Sequence, residues 1–127
     1  MLIDYLAGKE AARVVLSEYR NDAWGVPNIV LYEALMGSVH GHLNGSPAGI
    51  RDAITQTMQV LEVTEETAVE AAELQSELRD RGVLADHPDA LYAAVARQCG
   101  GSFATAKKTL HREEVRAVLD VAAYRPE

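Results

Sequence analysis

The chain has 127 residues, 48% of them hydrophobic and 24% charged, with a formal net charge of −7 and a single cysteine. That length gives one domain with a core of useful size and no room for two, and Cys99 alone excludes an intramolecular disulfide framework or a cysteine-built zinc site. The acidic balance excludes uniform attraction to a nucleic-acid backbone, so a polyanion would have to be met by a local basic patch or by bound cations.

Met1-Leu2-Ile3-Asp4-Tyr5-Leu6 is too polar for a signal peptide, and no stretch approaches the roughly 20 apolar residues of a membrane span. The expectation is a cytoplasmic globular protein. Residues 9–20 carry Ala12, Val15, Leu16 and Tyr19 on one helical face, and Asn21-Asp22 break the pattern. Trp24-Gly25-Val26 reads as a short strand, with a corner at Pro27-Asn28. A helix comes next, with Tyr32, Leu35, Val39 and Leu43 as its expected apolar stripe and Trp24 and Tyr32 expected in the core. Residues 44–49 read as a loop. Ile50, Ile54 and Met58 predict a short helix, and residues 60–63 a strand.

Thr64 suits an N-cap with Glu65 and Glu66 in the first turn behind it. That helix turns Ala71, Leu74 and Leu78 inward and ends near Arg81-Gly82, where glycine fits a left-handed cap. Pro88 marks the next helix start, and Gly100-Gly101 its end. Residues 102–105 predict a strand, 112–119 a helix with Val115, Val118 and Leu119 inward, and 121–124 a last strand. Alternation of this kind predicts one α/β domain, residues 1–127, with a parallel sheet covered by helices on both faces.

Four segments, in order along the chain, resemble the PIN-domain family. Residues 26–37, from Val26-Pro27-Asn28 through Glu33 to Gly37, are similar to the strand-to-helix segment bearing an acidic residue. Asp86-His87-Pro88-Asp89-Ala90-Leu91-Tyr92-Ala93-Ala94 resembles the D-A-x-x-A-A helix start. Phe103-Ala104-Thr105-Ala106-Lys107-Lys108 is similar to the fourth strand, and Leu2-Ile3-Asp4-Tyr5-Leu6-Ala7-Gly8 to the segment just after the D-T-N signature. Within the family the chain looks most like the toxin ribonucleases of VapBC-type toxin–antitoxin pairs. The resemblance implies a three-layer, Rossmann-like parallel sheet flanked by helices. It further implies Mg²⁺ or Mn²⁺ held by three or four acids, phosphodiester cleavage in RNA, an antitoxin partner and a homodimer, with no membrane association. Carried onto this sequence, Glu33 and Asp89 are the catalytic residues and metal ligands, with Thr105 and Lys107 supporting.

Physical chemistry is compatible with that assignment. Ligands of an open α/β sheet bind beyond the carboxyl ends of the strands, and Glu33 and Asp89 are expected to begin helices just after such ends. Their carboxylates are expected to approach within roughly 8 Å, close enough to share one cation. In the bland alternatives Glu33 is a solvated helix residue, Asp89 complements a helix dipole, Asp86 is a cap or loop residue, His87 a cap, and Cys99 a small buried residue. His40 and His42 read as surface histidines rather than a ligand pair. Lys107, Lys108, His111 and Arg112 form a basic cluster that contacts RNA phosphates or the acids, or is a solvated turn.

Two departures from the family stand out. The D-T-N strand, which is central in the family's sheet and supplies an acid, has no counterpart in this sequence, and its place lies upstream of Met1; Asp4 reads as a solvated helix residue, not a replacement. Lys107 stands where many members carry a fourth acid, and its ammonium is expected within salt-bridge distance of Asp89 or Glu33. Two functions are compatible with this pattern: a metal-dependent endoribonuclease of the PIN toxin type, impaired in this chain, or a non-catalytic PIN-like protein-binding module.

Overall fold

The computed structural model describes residues 13, 14, 17–19 and 22–123. The chain divides into two compact units, residues 1–62 with 126–127, and residues 63–125. Of the helix expected over 9–20, residues 13–14 and 17–18 are helical. Its remainder, the opening segment with Asp4, and Tyr124 lie outside the described residues.

In the first unit, strand β1 (Trp24–Pro27) runs directly into helix α1 (Asn28–Val39), helix α2 (Pro47–Thr55) comes next, and strand β2 (Met58–Leu61) pairs parallel to β1. The register sets Trp24 against Met58 and Pro27 against Leu61. Helix α1 stops in a Schellman turn. Gly41 takes φ +77°, the amide of His42 donates to the Gly37 carbonyl at 2.8 Å, and that of Gly41 to Ser38 at 3.2 Å. Pro47 opens α2, whose cap is Ser46 Oγ accepting from the Gly49 amide at 3.1 Å.

The apolar stripe expected on α1 is corrected here. Its buried residues are Ala34 and Gly37, with Val30 partly buried on the same face, while Tyr32 and Val39 are 61% and 62% exposed. Positions 30, 34 and 37 share one helical face and 32 and 39 lie opposite. Hydrophobicity pointed to the wrong face because the inward residues are small. Gly37 is small for a reason: a Cβ there would stand 3.0 Å from Leu43 Cδ1. Leu43 is buried from beyond the helix end, by a chain that has turned back past Gly41. Pro47, Ala48 and Gly49 belong to α2 rather than a loop, and Met58 starts β2 rather than extending a helix. The core gathers Val26, Ala34, Leu43, Ile50, Ile54 and Met58, with Trp24 packed against it.

The second unit holds helix α3 (Glu65–Asp80), helix α4 (His87–Gln98), strand β3 (Phe103–Thr105), a 3₁₀ turn (Lys108–His111), helix α5 (Glu113–Arg116) and strand β4 (Val121–Ala123). Strand β3 pairs parallel to β4, Phe103 against Val121. Thr64 caps α3 as expected, and does so reciprocally. Thr64 Oγ1 accepts from the Thr67 amide at 3.4 Å, and Thr67 Oγ1 accepts from the Thr64 amide at 3.0 Å. Helices α3 and α4 end in the same Schellman turn as α1, at Gly82 (φ +78°) and Gly100 (φ +68°). Leu74, Leu78, Val83, Ala93, Leu110, Val115, Leu119 and Val121 make the core, and Ala71, Ala90 and Ala94 a smaller cluster where short side chains let α3 and α4 close up.

Three expectations fail in this unit. The helix over 112–119 is only Glu113–Arg116: Arg112 before it is extended (ψ 150°), and past its end the amides of Val118 and Leu119 both return to the Val115 carbonyl, at 3.1 and 3.0 Å. Cys99 is exposed, at the end of α4, not buried. His87 is the first residue of α4, with Asp86 at the cap position. Among the described residues no helix is long and apolar enough to cross a membrane.

Candidate acidic site at the start of helix α4

Asp86 and Asp89 stand three residues apart at the N-terminus of α4, so both carboxylates lie on one side of the helix. The location favours negative charge, since the first-turn amides and the helix dipole are positive there. Asp86 makes no side-chain cap hydrogen bond. Its carboxylate turns instead to Lys107, whose Nζ donates to Asp86 Oδ2 and, at 2.7 Å, to Asp89 Oδ2. Asp89 is the more enclosed of the two, with 21% of its side chain exposed against 70% for Asp86.

Strand β3 aims the lysine. Thr105, buried at its end, accepts the Lys107 amide on Oγ1 at 3.1 Å, and the Leu110 amide donates to the Lys107 carbonyl at 3.0 Å. The Thr105 carbonyl lies 2.7 Å from His111 Nε2, and Arg116 Nε donates to the His111 carbonyl at 3.0 Å. Of the basic cluster, then, Lys107 meets two carboxylates at the surface, His111 meets the Thr105 carbonyl, and Arg112 pairs with Glu114 at 3.3 Å. The electrostatics agree with the geometry. The hydrogen bonds it donates, to Asp86 first and then to Asp89, hold the Lys107 ammonium well above the usual lysine range, and the same Lys107 hydrogen bond keeps the Asp86 carboxyl below the usual carboxylate range.

Of the residues expected at the site, Asp89, Thr105 and Lys107 come together in the second unit, and the expected contact between Lys107 and Asp89 is present. Glu33 lies in the first unit, exposed, and in the second turn of α1; the expectation that it begins its helix is corrected by the start at Asn28. Asp86 occupies the cap position, as expected, but its side chain pairs with Lys107 and caps nothing. Its signal was the three-residue spacing to Asp89 at a helix start. His40 and His42 are exposed beyond α1, with ring centroids 6.1 Å apart.

Carboxylate oxygens are the donors Mg²⁺ and Mn²⁺ require, and Asp86 and Asp89 already converge on one cationic atom. That atom is an ammonium nitrogen. Among the described residues no group of three or more His, Cys, Asp or Glu side chains is placed to hold a metal ion. With Lys107 where it stands, the residues at the start of α4 do not fit a divalent ion.

A model of the PIN domain family matches residues 1–114. The chain belongs to the PIN domain family. The fold is that of solved members of toxin–antitoxin assemblies. A chain of a toxin–antitoxin complex from Klebsiella pneumoniae superposes with a TM-score of 0.74 at 19% identity, over 96% of this chain and 90% of that one. A chain of VapBC2 from Rickettsia felis, bound to a DNA fragment from its promoter, does so with a TM-score of 0.70 at 16% identity, over 97% and 93%. No curated protein is significantly similar to the chain.

Proposed function

We propose that the chain is an endoribonuclease of the PIN toxin type whose acidic site is impaired as it stands. Residues 1–127 act as one PIN-like domain, Glu33 and Asp89 are its catalytic acids and its ligands for Mg²⁺ or Mn²⁺, and Thr105 supports them by fixing the turn after β3. The observation that carries the reading is the placement of Asp89: an enclosed carboxylate in the first turn of α4, beside the end of a parallel strand, in a chain of the PIN domain family. The two likenesses to toxin–antitoxin complexes support an antitoxin as partner, and we place the protein in the cytoplasm as a homodimer. The metal, where bound, would supply charge against the RNA phosphate and an activated water. The residues as folded do not fit it, so the chain's own contribution to cleavage begins only with Lys107 displaced.

A second reading is favoured by the same ion pair. An ammonium already neutralises the acids, which suits a PIN-like module that binds protein and cuts nothing. Incubating RNA with Lys107→Asp in Mg²⁺ or Mn²⁺ separates the two. Cleavage that chelator abolishes supports the nuclease; intact RNA with a folded, metal-loaded variant leaves the binding module.

A further inference from the structure

We infer that Lys107 is a built-in cation that keeps the Asp86–Asp89 pair closed to divalent metal, an autoinhibitory contact lifted only when its ammonium leaves the two carboxylates. The consequence for catalysis rests on the nuclease reading above; the contact itself rests on side-chain geometry.

Three observations carry it. First, the lysine is aimed. Its amide is held by Thr105 Oγ1 at 3.1 Å and its carbonyl by the Leu110 amide at 3.0 Å, while Thr105 itself sits in β3 paired to β4. Only side-chain torsions remain to be fixed by the carboxylates. Second, one nitrogen meets both acids: two of the three ammonium donors go to Asp86 Oδ2 and Asp89 Oδ2. Third, the position excludes a competitor. A divalent ion bonds a carboxylate oxygen at about 2.0–2.6 Å, whereas Nζ stands 2.7 Å from Asp89 Oδ2. Both on the same lone-pair side would place three positive charges within a few ångströms, a strong repulsion at a protein surface.

The contact is a gate rather than a permanent lock. Lys107 is 45% exposed, exposed ion pairs hold weakly, and its stem can lie along the surface with the ammonium in water. Binding energy from a partner or from RNA that draws the ammonium away would therefore open the acids.

Mn²⁺ titration followed by the electron-paramagnetic signal of free ion tests this on the full chain. Lys107→Met is expected to bind Mn²⁺ about tenfold more tightly than wild type, Lys107→Asp more tightly again, and Lys108→Met, at the neighbouring exposed lysine, like wild type. Because a variant can fail to fold, the wild type carries its own measurement. Its amide resonances at Asp86, His87 and Asp89 should resist Mn²⁺ broadening while those of residues beside exposed carboxylates elsewhere broaden. Equal binding by wild type and Lys107→Met, or early broadening at Asp86, His87 and Asp89 in wild type, overturns the inference. RNA cleavage by wild type in chelator, lost in Lys107→Met, also overturns it, since Lys107 would then be working on substrate. A Lys107→Asp chain that gains Mn²⁺ and cuts no RNA supports the gate and sinks the nuclease reading instead.

Discussion

Residues 22–62 and 63–123 each hold one pair of parallel strands, with helices α1 and α2 between the strands of the first and helices α3 and α4 ahead of both strands of the second, but they are held by different forces. In the first, the apolar cluster around Ile54 and the turns at Gly41 and Ser46 carry the structure, and the ion pair between Arg51 and Asp52 joins exposed neighbours. In the second, polar side chains reach across the chain. Arg97 on α4 grips Glu70 at 2.8 Å and Glu77 at 2.6 Å on α3 and donates to the Val118 carbonyl at 3.3 Å. Gln75 brackets Ala85 with two hydrogen bonds, and Thr67 Oγ1 donates to Gln98 at 2.8 Å. The difference teaches where a charged site can be built. Lys107 can be aimed at two aspartates because the helix and strand around it are already fixed by directional contacts.

Core truncation should give the largest effects, and of equal size in both units. Ile54→Ala and Leu74→Ala remove side chains that are 1% and 0% exposed, and each should cost about 3–4 kcal/mol in denaturant-induced unfolding. A cost below about 1 kcal/mol at either position would remove the claim that the two units have comparable cores.

The same contrast explains what could be read in the sequence. The second unit announces itself: Thr64, Gly82 and Gly100 carry their caps in residue type, and Ala71, Leu74 and Leu78 repeat at helical spacing over 16 residues of α3. In the first unit the inward face of α1 is Ala34 and Gly37, so hydrophobic period pointed to Tyr32 and Val39, which are exposed. Tertiary packing chose small residues where Leu43 needed space, and no local pattern records that. At the site, Asp89 and Lys107 were legible from their segments. Asp86 was not, because a cap residue and a cation-holding residue look alike until a lysine from 21 positions downstream arrives.

Arg97 is the next lever. Four-fifths of its side chain is enclosed, and burial working against its charge is outweighed by the hydrogen bonds and charges of Glu77 and Glu70, which keep it firmly protonated. Arg97→Met leaves two glutamates without their cation and a carbonyl without its donor. The expected loss is about 2 kcal/mol, below that for a fully buried pair because Glu77 is half exposed. Hydrogen exchange should rise along α3 and α4. An unchanged stability would mean that the polar ties follow from the fold of this unit and do not hold it.

Thr67→Val should come below that. It keeps the shape of a fully buried residue but takes the acceptor from the Thr64 amide and the donor from Gln98. A loss of about 1 kcal/mol is expected, with fraying confined to the start of α3. Fraying throughout the unit would show that the cap organises more than its own helix.

The smallest effect belongs to the ion pair that carries the site. Asp86→Asn removes one carboxylate from Lys107, and with 70% of the Asp86 side chain in solvent the change in melting temperature at neutral pH should be slight. Its pH dependence has a definite sign. The Asp86 carboxyl is lowered from 3.8 in the folded chain by the Lys107 hydrogen bond, so its contribution is present above that value and lost as pH falls through the lower folded one. The Lys107 ammonium is raised from 10.5, chiefly by Asp86 and then Asp89, so its contribution is complete below 10.5 and lost only as pH rises through the higher folded value. Between those limits the difference between wild type and Asp86→Asn should be flat, shrinking at the acid end and in about 1 M salt, where surface charges are screened over a few ångströms. Melting curves of both proteins across that range decide it. A difference that survives salt, or widens toward acid, would mean that Asp86 acts through something other than the charge it presents to Lys107, since a carboxylate's effect on the helix dipole is also screened and also lost on protonation.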